Sequence, residues 1–287
     1  MMSSLTAVLV KRKSSPRSRP SAIAVISMVI VAVIVVLACF GELIAPIDPH
    51  RQDLALGPTG PSAAHLLGTD VLGRDVFSRV IAGTASAVVG PLVVALGAAI
   101  LGNVLGLIAG YRGGRIDSLI MRWVDLMFSL PSILVIIVFA GTFGGGYWMS
   151  VLLLVILSVP SDARIVRGAT LEQTPRPYVE AARSIGVSDF KIMLGHIWPN
   201  IAPISIANLG LSFAGSLVAL AGLSFLGLGV AAGTPDWGLM VSESRNLLFV
   251  NPVAVLAPAV MIVATATAVS VVGDWTYERL SQRGAGR

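Results

Sequence analysis

The sequence predicts an all-α, polytopic membrane protein with about six transmembrane helices, and three observations lead to this class. Of the 287 residues, 55% are hydrophobic and only 12% are charged, and the mean hydropathy is +0.85, which is far from the composition of a soluble domain. Long windows without Asp, Glu, Lys or Arg are sufficient to cross a hydrocarbon core of roughly 30 Å. Basic residues are concentrated in alternate connections, as expected when one side of the membrane is the cytoplasm.

The first apolar window, 22–41, has no charged residue over its twenty positions. It is longer than the apolar core of a signal peptide, which has about 7 to 15 residues, and no convincing small-residue cleavage site follows it. We therefore expect an uncleaved first span over 21–44. A basic cytoplasmic tail is expected over 1–20, and an extracytoplasmic connector over 45–83.

Five further spans are expected in 84–287. The window 126–161 is too long for one helix, and the glycines in 141–148 predict a turn that divides it into two spans. Pro131 is expected to kink the first of these two. The window 192–235 is interpreted as one crossing followed by a re-entrant or interfacial segment, because glycines interrupt its second half. The remaining two spans fall in the windows 80–111 and 246–273.

The distribution of basic residues tests the number of spans. Six spans with a cytoplasmic N-terminus place sixteen of the twenty Lys and Arg residues in the cytosol, whereas seven spans place only fourteen there. Six spans with both termini in the cytosol are therefore favoured. The four basic residues left outside are Arg51, Arg74, Arg79 and Arg245.

The net charge of +5 is mainly a signal of membrane topology. No basic run is interleaved with aromatic residues, so a nucleic-acid partner is not expected. The basic residues of the tail are suited to contact with anionic membrane lipid.

A charged segment between two apolar windows predicts a pair of short amphipathic helices on the cytoplasmic side. Thr174 is expected to cap the first helix and Gly186 to end it, while Ser188 caps the second and Pro199 closes it. Apolar residues recur at helical spacing in both helices. They are Tyr178, Ala181, Ala182 and Ile185 in the first helix and Phe190, Met193, Leu194 and Ile197 in the second.

The first of these helices has the properties of a docking element. Ala181 and Ala182 are small enough for another surface to approach the helix closely, and Arg176, Glu180 and Arg183 leave charge on the other side. An ordinary amphipathic connector between two spans is the alternative interpretation.

The segment Glu180-Ala181-Ala182, with Gly186 six positions and Pro199 nineteen positions after the glutamate, resembles the cytoplasmic EAA loop of permease subunits in binding-protein-dependent ABC importers. His196 and Trp198 depart from the residues that this loop usually has at their positions. The resemblance implies a coupling loop over 163–199 that contacts an ATPase. The residues that it assigns to this contact are Tyr178, Glu180, Ala181, Ala182, Gly186 and Pro199.

Other stretches are similar to the C-type permease subunits of oligopeptide and dipeptide importers. They are 65–79, 111–118, 223–229 with 236–238, and 273–274. Two departures are Leu220-Ala221, where these subunits commonly have Glu-Ala, and Ser270, where an Asn often precedes the terminal Gly-Asp. The resemblance implies a MetI-like ABC importer permease fold in a bacterial inner membrane.

The same resemblance implies a function and partners. The chain would form half of the translocation pore for oligopeptides or dipeptides, or for a related small solute such as glutathione or nickel. Two ABC ATPase subunits would hold ATP and Mg, a second and different permease would complete the pore, and an extracytoplasmic solute-binding protein would deliver the solute. A self-contained secondary transporter and an ion channel are the alternatives, but the sequence has neither an evident internal repeat nor an evident selectivity filter.

The residue patterns of an enzyme are missing from the sequence. There is no Gly-x-x-x-x-Gly-Lys-Ser/Thr phosphate loop, so ATP hydrolysis is not expected in this chain. The histidines His50, His65 and His196 have no paired spacing, and Cys39 is the single cysteine. We therefore expect neither a metal site nor a cofactor bound by this chain.

Polar residues inside the spans are candidates for lining the pore, because such residues usually face a cavity or a neighbouring helix. The candidates are Asn103, Ser129, Asn208, Ser212 and Ser216, of which the last three share one helix face. Hydrogen bonding between helices is the alternative role.

Charged residues near the membrane boundaries lead to two further expectations. Asp125 is close to Arg122 and the cytosolic boundary, so an interfacial ion pair and a role in lining the pore are the two interpretations of this residue. On the outside, segment 68–75 is expected to form a capped turn before a short surface helix, with Arg74 and Asp75 available for pairing. This turn is a candidate contact for the binding protein, and a solvated connector is the alternative.

Overall fold

The computed structural model describes residues 21–143 and 146–284, and within these ranges every regular element is a helix. This confirms the all-α class. The helices are α1 (Ala22–Ile44), α2 (Val76–Arg112), α3 (Gly114–Phe128), α4 (Ser132–Phe143), α5 (Tyr147–Gln173), α6 (Pro177–Ser184), α7 (Asp189–Ile192), α8 (Trp198–Phe225), α9 (Trp237–Ser244) and α10 (Val253–Gly284).

Five membrane spans are formed by single helices or continuous helical runs in the described part of the chain. They are α1, α2, α5, the run from α7 through α8, and α10. Helices α3 and α4 qualify only together, and the number of spans is six if this bent pair counts as one span. The prediction of about six spans therefore agrees with the lengths and composition of these helices.

The third span is broken by a 76° bend between α3 and α4. Pro131 lies at this break, directly before α4, as its lack of an N–H and its bulky ring predict. Helix α4 has 12 residues and is only about 18 Å long at 1.5 Å per residue. It is therefore too short to cross the membrane without α3.

The long helix α2 is the centre of the bundle and packs closely against α5. Glycines on one face of α2 make this approach possible, since a Cβ at Gly106 would lie 2.7 Å from the carbonyl oxygen of Ala163 and one at Gly110 would lie 2.7 Å from the Cβ of Thr170. Small residues of this kind allow the backbones of membrane helices to come together. The α2–α5 pair therefore connects the two faces of the membrane as one unit.

The window 192–235 contains one crossing helix, as predicted. Helix α8 ends at Phe225, and the chain then turns at Gly227 and Gly233, whose φ angles are +79° and +87°. It re-enters the protein as α9, where Trp237 is completely buried and donates a hydrogen bond to the carbonyl of Val80 at 2.9 Å. The part of the window after α8, residues 226–235, is therefore a turn, and the buried re-entrant helix α9 begins only after the window.

Asp236 caps the start of α9 by accepting a hydrogen bond from the backbone N–H of Leu239 at 3.0 Å. Burial raises the pKa of this carboxyl group above its ordinary value, and the backbone hydrogen bond acts in the opposite direction.

Two expectations about helix ends in the cytoplasmic loop are wrong. Thr174 does not cap α6; it ends α5, and its hydroxyl donates to the carbonyl of Thr170 at 2.8 Å. Pro199 does not close a helix either, because it lies in the first turn of α8. A π-helical turn, Met193–Ile197, precedes it, and the N–H of Trp198 bonds to the carbonyl of Met193, five residues earlier. This wider turn lets the helix continue through a proline that cannot donate its own hydrogen bond.

Two other expectations about this loop agree with the structure. Gly186 ends α6 with a φ of +81°, a left-handed conformation that favours glycine. Ser188 occupies the N-cap position of α7, although its side chain makes no capping hydrogen bond.

Candidate functional site

The coupling element, which we define as α6, α7 and the π-helical turn (177–197), packs against the cytoplasmic ends of the spans. Its buried side chains join those of α2, α5 and α8 in one apolar cluster. The cluster consists of Leu107, Tyr111, Val166, Val179, Ala182, Ile192, Met193, Ile197 and Ile201. The coupling element is therefore packed directly against three spans.

The outer face of α6 differs from the face that the spacing of apolar residues predicts. Val179 and Ala182 are buried, while Glu180 and Ala181 are exposed. The interpretation of Ala181 and Ala182 as one docking surface is thus wrong, because Ala182 fills the internal cluster. The exposed apolar side chains of the element are Ile185 (81% exposed), Phe190 (67%) and Leu194 (47%).

Tyr178 lies at the edge between the two faces and is half-buried. Its hydroxyl donates to Oε1 of Gln173 at 3.0 Å and accepts from Nδ2 of Asn200 at 3.4 Å. Burial raises the pKa of this phenol, so the hydroxyl keeps its proton and remains a donor at neutral pH. Tyr178 thus joins the start of α6 to the end of α5 and the start of α8.

Tyr111, at the cytoplasmic end of α2, is the polar link between that helix and the coupling element. Its hydroxyl donates to Oδ1 of Asp189 at 2.8 Å and accepts from Nε of Arg183 at 3.2 Å. The guanidinium of Arg183 also lies over the tyrosine ring, 4.9 Å from its centroid. One side chain of α2 therefore contacts both α6 and α7, through charge-assisted bonds that are stronger than neutral ones.

In the ABC importer that the resemblance to the EAA loop implies, replacing Tyr111 with phenylalanine is expected to reduce the amount of solute transported per ATP hydrolysed by about fivefold, because it removes two hydrogen bonds to charged groups and keeps the ring contact. The measurement is the ratio of uptake to ATP hydrolysis in the reconstituted importer. Ser184→Ala is the control, since the Ser184 hydroxyl bonds only within α6, to the carbonyl of Glu180. An unchanged ratio in the Tyr111 variant would show that this link does not transmit the movement.

Helix α3 is attached to α5 by ion pairs. Arg167 makes two hydrogen bonds to the carboxylate of Asp117. Asp125 pairs with Arg164, and not with Arg122, because α5 brings Arg164 beside α3 and stacks its guanidinium 4.5 Å from the centroid of Phe128. Asp125 and Arg164 are exposed, so this pair contributes little to stability.

A groove runs between α5, α8 and α10 and opens at their cytoplasmic ends. It consists of two cavities of about 910 and 390 Å³ that share Ile204 in their walls, and we call it the cytoplasmic groove. The larger cavity is lined by the last two turns of α5, the start of α8 and the end of α10. The smaller cavity continues along the same three helices and is lined by Ile165, Ile204, Ala207, Asn208, Leu211, Ser270 and Asp274.

The predicted pore residues have different positions relative to this groove. Asn208 lines it, and its amide donates to Oδ1 of Asp162. Ser212 donates to the same oxygen at 3.2 Å, so both residues attach α8 to α5. Asn103 of α2 accepts a hydrogen bond from Ser205 of α8 at 2.7 Å.

The two remaining candidates lie elsewhere. Ser129 is exposed at the break between α3 and α4, where it bonds to the carbonyl of Leu126. Ser216 is buried in the bundle at 5% exposure.

Asp162 is a functional candidate that the sequence analysis missed. It is 1% exposed, and its Oδ2 has no hydrogen-bond partner in the described part of the chain. The sequence contains a signal for this residue, since Asp162 is the first charge after an apolar window. The predicted span ends before Asp162, whereas α5 continues eleven residues beyond it.

At the end of the bundle opposite to the coupling element, Arg74 and Arg79 are buried in a network of carboxylates. Nε of Arg74 lies 2.7 Å from Oδ2 of Asp70, and Nη2 lies 2.6 Å from Oε2 of Glu243. Nη2 of Arg79 lies 3.3 Å from the same glutamate oxygen. These four residues, which we call the outer ion-pair cluster, attach the connector and the start of α2 to α9.

Arg74 and Asp75 are both paired, as expected, although not with each other: Asp75 caps α2 by accepting from the N–H of Ser78 at 2.8 Å and also contacts His65 at 2.9 Å. The expected surface helix and the alternative of a solvated connector need correction. The helix that follows is the long span α2, which begins at Val76, and not a short surface helix. The connector around the two arginines is buried and not solvated, since Arg74 and Arg79 are 2% and 0% exposed.

A bundle of membrane-spanning helices that carries a packed cytoplasmic element with an exposed outer face has the architecture of a transport permease. Residues 102–285 match the family model described as "Binding-protein-dependent transport system inner membrane component", and residues 19–58 match that of the "N-terminal TM domain of oligopeptide transport permease C". The chain belongs to the family of binding-protein-dependent transport system inner membrane components.

Curated relatives cover nearly the whole chain. The glutathione transport system permease protein GsiD of Pectobacterium atrosepticum is 34% identical over 91% of this chain and 87% of its own length. The probable D,D-dipeptide transport system permease protein DdpC of Escherichia coli is 33% identical over 93% of this chain and 90% of its own length. The predicted membership of the peptide-type importer permeases is thus confirmed.

The fold is similar to that of a solved permease. A chain from inward-facing conformations of the MetNI methionine ABC transporter matches with a TM-score of 0.59 and 16% sequence identity, over 70% of this chain and 96% of that chain. This likeness confirms the MetI-like fold. The chain is therefore a multi-pass inner-membrane component of a transport system.

Proposed function

We propose that the chain is a permease subunit of an ATP-driven importer for dipeptides, oligopeptides or a related small solute such as glutathione. A second, different permease chain completes the pore. Two ATPase subunits hold ATP and Mg and bind the cytoplasmic side, and an extracytoplasmic binding protein delivers the solute. The names of the relatives support this range of solutes, since they include a glutathione and a D,D-dipeptide system.

The observation that carries the proposal is the division of the coupling element into two faces. Its inner face, with Val179 and Ala182, is packed against the spans, while its outer face presents Glu180 and Ala181. Large apolar side chains such as Phe190 are exposed there, and exposed apolar surface outside a membrane is typical of a protein interface. We assign this outer face to the ATPase, and both termini of the chain to the same cytoplasmic side.

Transport requires that the coupling element makes different contacts with the two ATPase subunits in the two states of that pair. When ATP closes the two ATPase subunits together, the coupling element moves with the ATPase surface that binds it. The shared apolar cluster carries this movement to α2, α5 and α8. Such coupling requires that each state of the spans makes different contacts with the partner. The cytoplasmic groove, with Asn208 in its wall, is proposed as the inner part of the solute path.

The test is reconstitution in proteoliposomes. The chain together with its partner permease, ATPases and binding protein is expected to import dipeptides, tripeptides or glutathione only when ATP is present on the ATPase side. The isolated chain is expected to import none of them. Uptake by the isolated chain in response to an ion gradient would contradict the proposal and support a secondary transporter.

A further inference from the structure

The charged side chains among the described residues that line the cytoplasmic groove are both acidic. They are Glu172 and Asp274, and Tyr277 lines the groove as well. A third carboxylate, Asp162, lies behind the wall, where it holds the amide of Asn208. A groove with one sign of charge and apolar walls concentrates solutes of the opposite charge.

These carboxylates differ in whether a cation already neutralises them. Glu172 is paired with Arg176 at 3.1 Å, one helical turn away. Asp274 is exposed to the groove and has neither a hydrogen bond nor an ion pair with any residue in the described part of the chain. Its nearest basic neighbour along α10, Arg279, is stacked on Trp275, 4.7 Å from the ring centroid. Asp274 is thus the carboxylate of the groove that is available to a solute.

The surroundings of Asp274 suit a hydrogen-bond donor with a positive charge. Asn208 lines the same cavity, and because its Nδ2 is committed to Asp162, its Oδ1 remains an acceptor that no described residue uses. Ser270 lies one turn from Asp274 on the same face of α10. The other walls of this cavity are aliphatic, so solvent screens the carboxylate less than it would at an open surface.

We propose that Asp274 and Asn208 form a subsite for the ammonium group of the solute, so that the permease itself favours solutes with a free amino group as they pass the cytoplasmic groove. This inference rests on the proposed function and extends it from the family of solutes to the chemical group that is recognised. The carboxylate of Asp274 supplies the opposite charge, and the amide oxygen of Asn208 accepts a second N–H bond.

The experiment probes the groove from the inside of the vesicle, which the binding protein cannot reach. The complete importer is reconstituted with ATP and increasing unlabelled trialanine in the lumen, and initial uptake of labelled trialanine is measured. The competitor is then replaced by N-acetyl-trialanine, which lacks the ammonium group. In the unmodified importer, trialanine is expected to inhibit at about fivefold lower concentration than its acetylated form, the size of effect found for a partly exposed charge pair.

In Asp274→Asn, this fivefold preference is expected to disappear, while Asp274→Glu keeps most of it. The matched control is Glu278→Gln, because Glu278 is an exposed carboxylate one turn further along α10 that does not line the groove.

Other results would overturn the inference in distinguishable ways. If lumenal trialanine does not inhibit, or if Asp274→Asn keeps the preference, the ammonium subsite is wrong and the proposed function stands. If the unmodified importer takes up no peptide at all, the proposed peptide transport is wrong and the inference fails with it.

Discussion

Replacing Ala181 with arginine is expected to abolish binding of the ATPase subunits, and with it ATP-dependent uptake, while the free energy of unfolding of the permease changes by less than about 0.5 kcal/mol. Ala181 is exposed on α6 beside Glu180 and is not a member of the apolar cluster. A long, charged side chain at this point would hold the partner away from the helix. The measurement is co-purification of the ATPase with the tagged permease, followed by uptake in proteoliposomes.

Ala182→Arg is the matched variant, one residue further along the same helix. Ala182 is 5% exposed inside the apolar cluster, so an arginine there would bury an unpaired charge. We expect a loss of several kcal/mol in the free energy of unfolding. The two variants thus separate loss of docking from loss of folding. An Ala181→Arg permease that retains its ATPase and transports solute would show that the outer face of α6 is not the docking surface.

The different positions of Ala181 and Ala182 show how far the sequence could predict this site. Helical spacing identified α6 correctly, and the resemblance to the EAA loop placed it at the partner interface. An apolar stripe indicates that a helix has a packed face, but it does not say whether the neighbour belongs to the same chain. Val179 lay outside the predicted stripe and is completely buried.

The prolines show a similar limit to what the sequence can predict about the fold. Pro131 breaks the third span as its local chemistry predicts. Pro199 has the same chemistry and does not end its helix, because the π-helical turn before it supplies another hydrogen-bonding pattern. That turn packs Met193 and Ile197 into the apolar cluster, a tertiary contact that no local rule contains.

The buried charges of the bundle were the part of the structure that the sequence did not predict. The predicted span ends before Asp162, because the partners of this carboxylate, Asn208 and Ser212, come from another helix. Arg74 and Arg79 were counted as exceptions on the outside of the membrane. The structure explains them, since Asp70 and Glu243 offset their charge. Residues distant in sequence provide most of these contacts, so the pattern of charges alone did not predict them.

The outer ion-pair cluster leads to a second large effect, at Asp70. This carboxylate is 3% exposed, and its Oδ1 accepts from the N–H groups of Leu72 and Arg74 at 2.9 and 3.0 Å. Its Oδ2 accepts from Nε of Arg74 and lies 3.6 Å from Nε of Arg79. Asp70 is thus the buried counter-charge of two guanidinium groups that Glu243 alone would otherwise have to neutralise.

Asp70→Asn is expected to lower the free energy of unfolding by about 3 to 5 kcal/mol, because removing one partner leaves a buried charge uncompensated. The amide oxygen still accepts the two backbone N–H groups, but its NH₂ group faces Nε of Arg74, which is also a donor. We expect the apparent Tm of the detergent-solubilised permease to fall by about 10 °C. The control is Asp48→Asn in the same connector, since Asp48 is exposed and its side chain bonds only to the N–H of His50.

If Asp70→Asn melts at the same temperature as the unmodified chain, Asp70 contributes no net stability, and Glu243 is the carboxylate that neutralises both arginines. In that case Glu243→Gln is expected to carry the large effect instead, because Glu243 contacts both Arg74 and Arg79. The pair of variants therefore identifies which carboxylate neutralises the two arginines. Loss of Glu243 should release α9 from the connector, whereas loss of Asp70 removes contacts within the connector and to the start of α2. Neither change should alter the coupling element on the opposite side of the membrane.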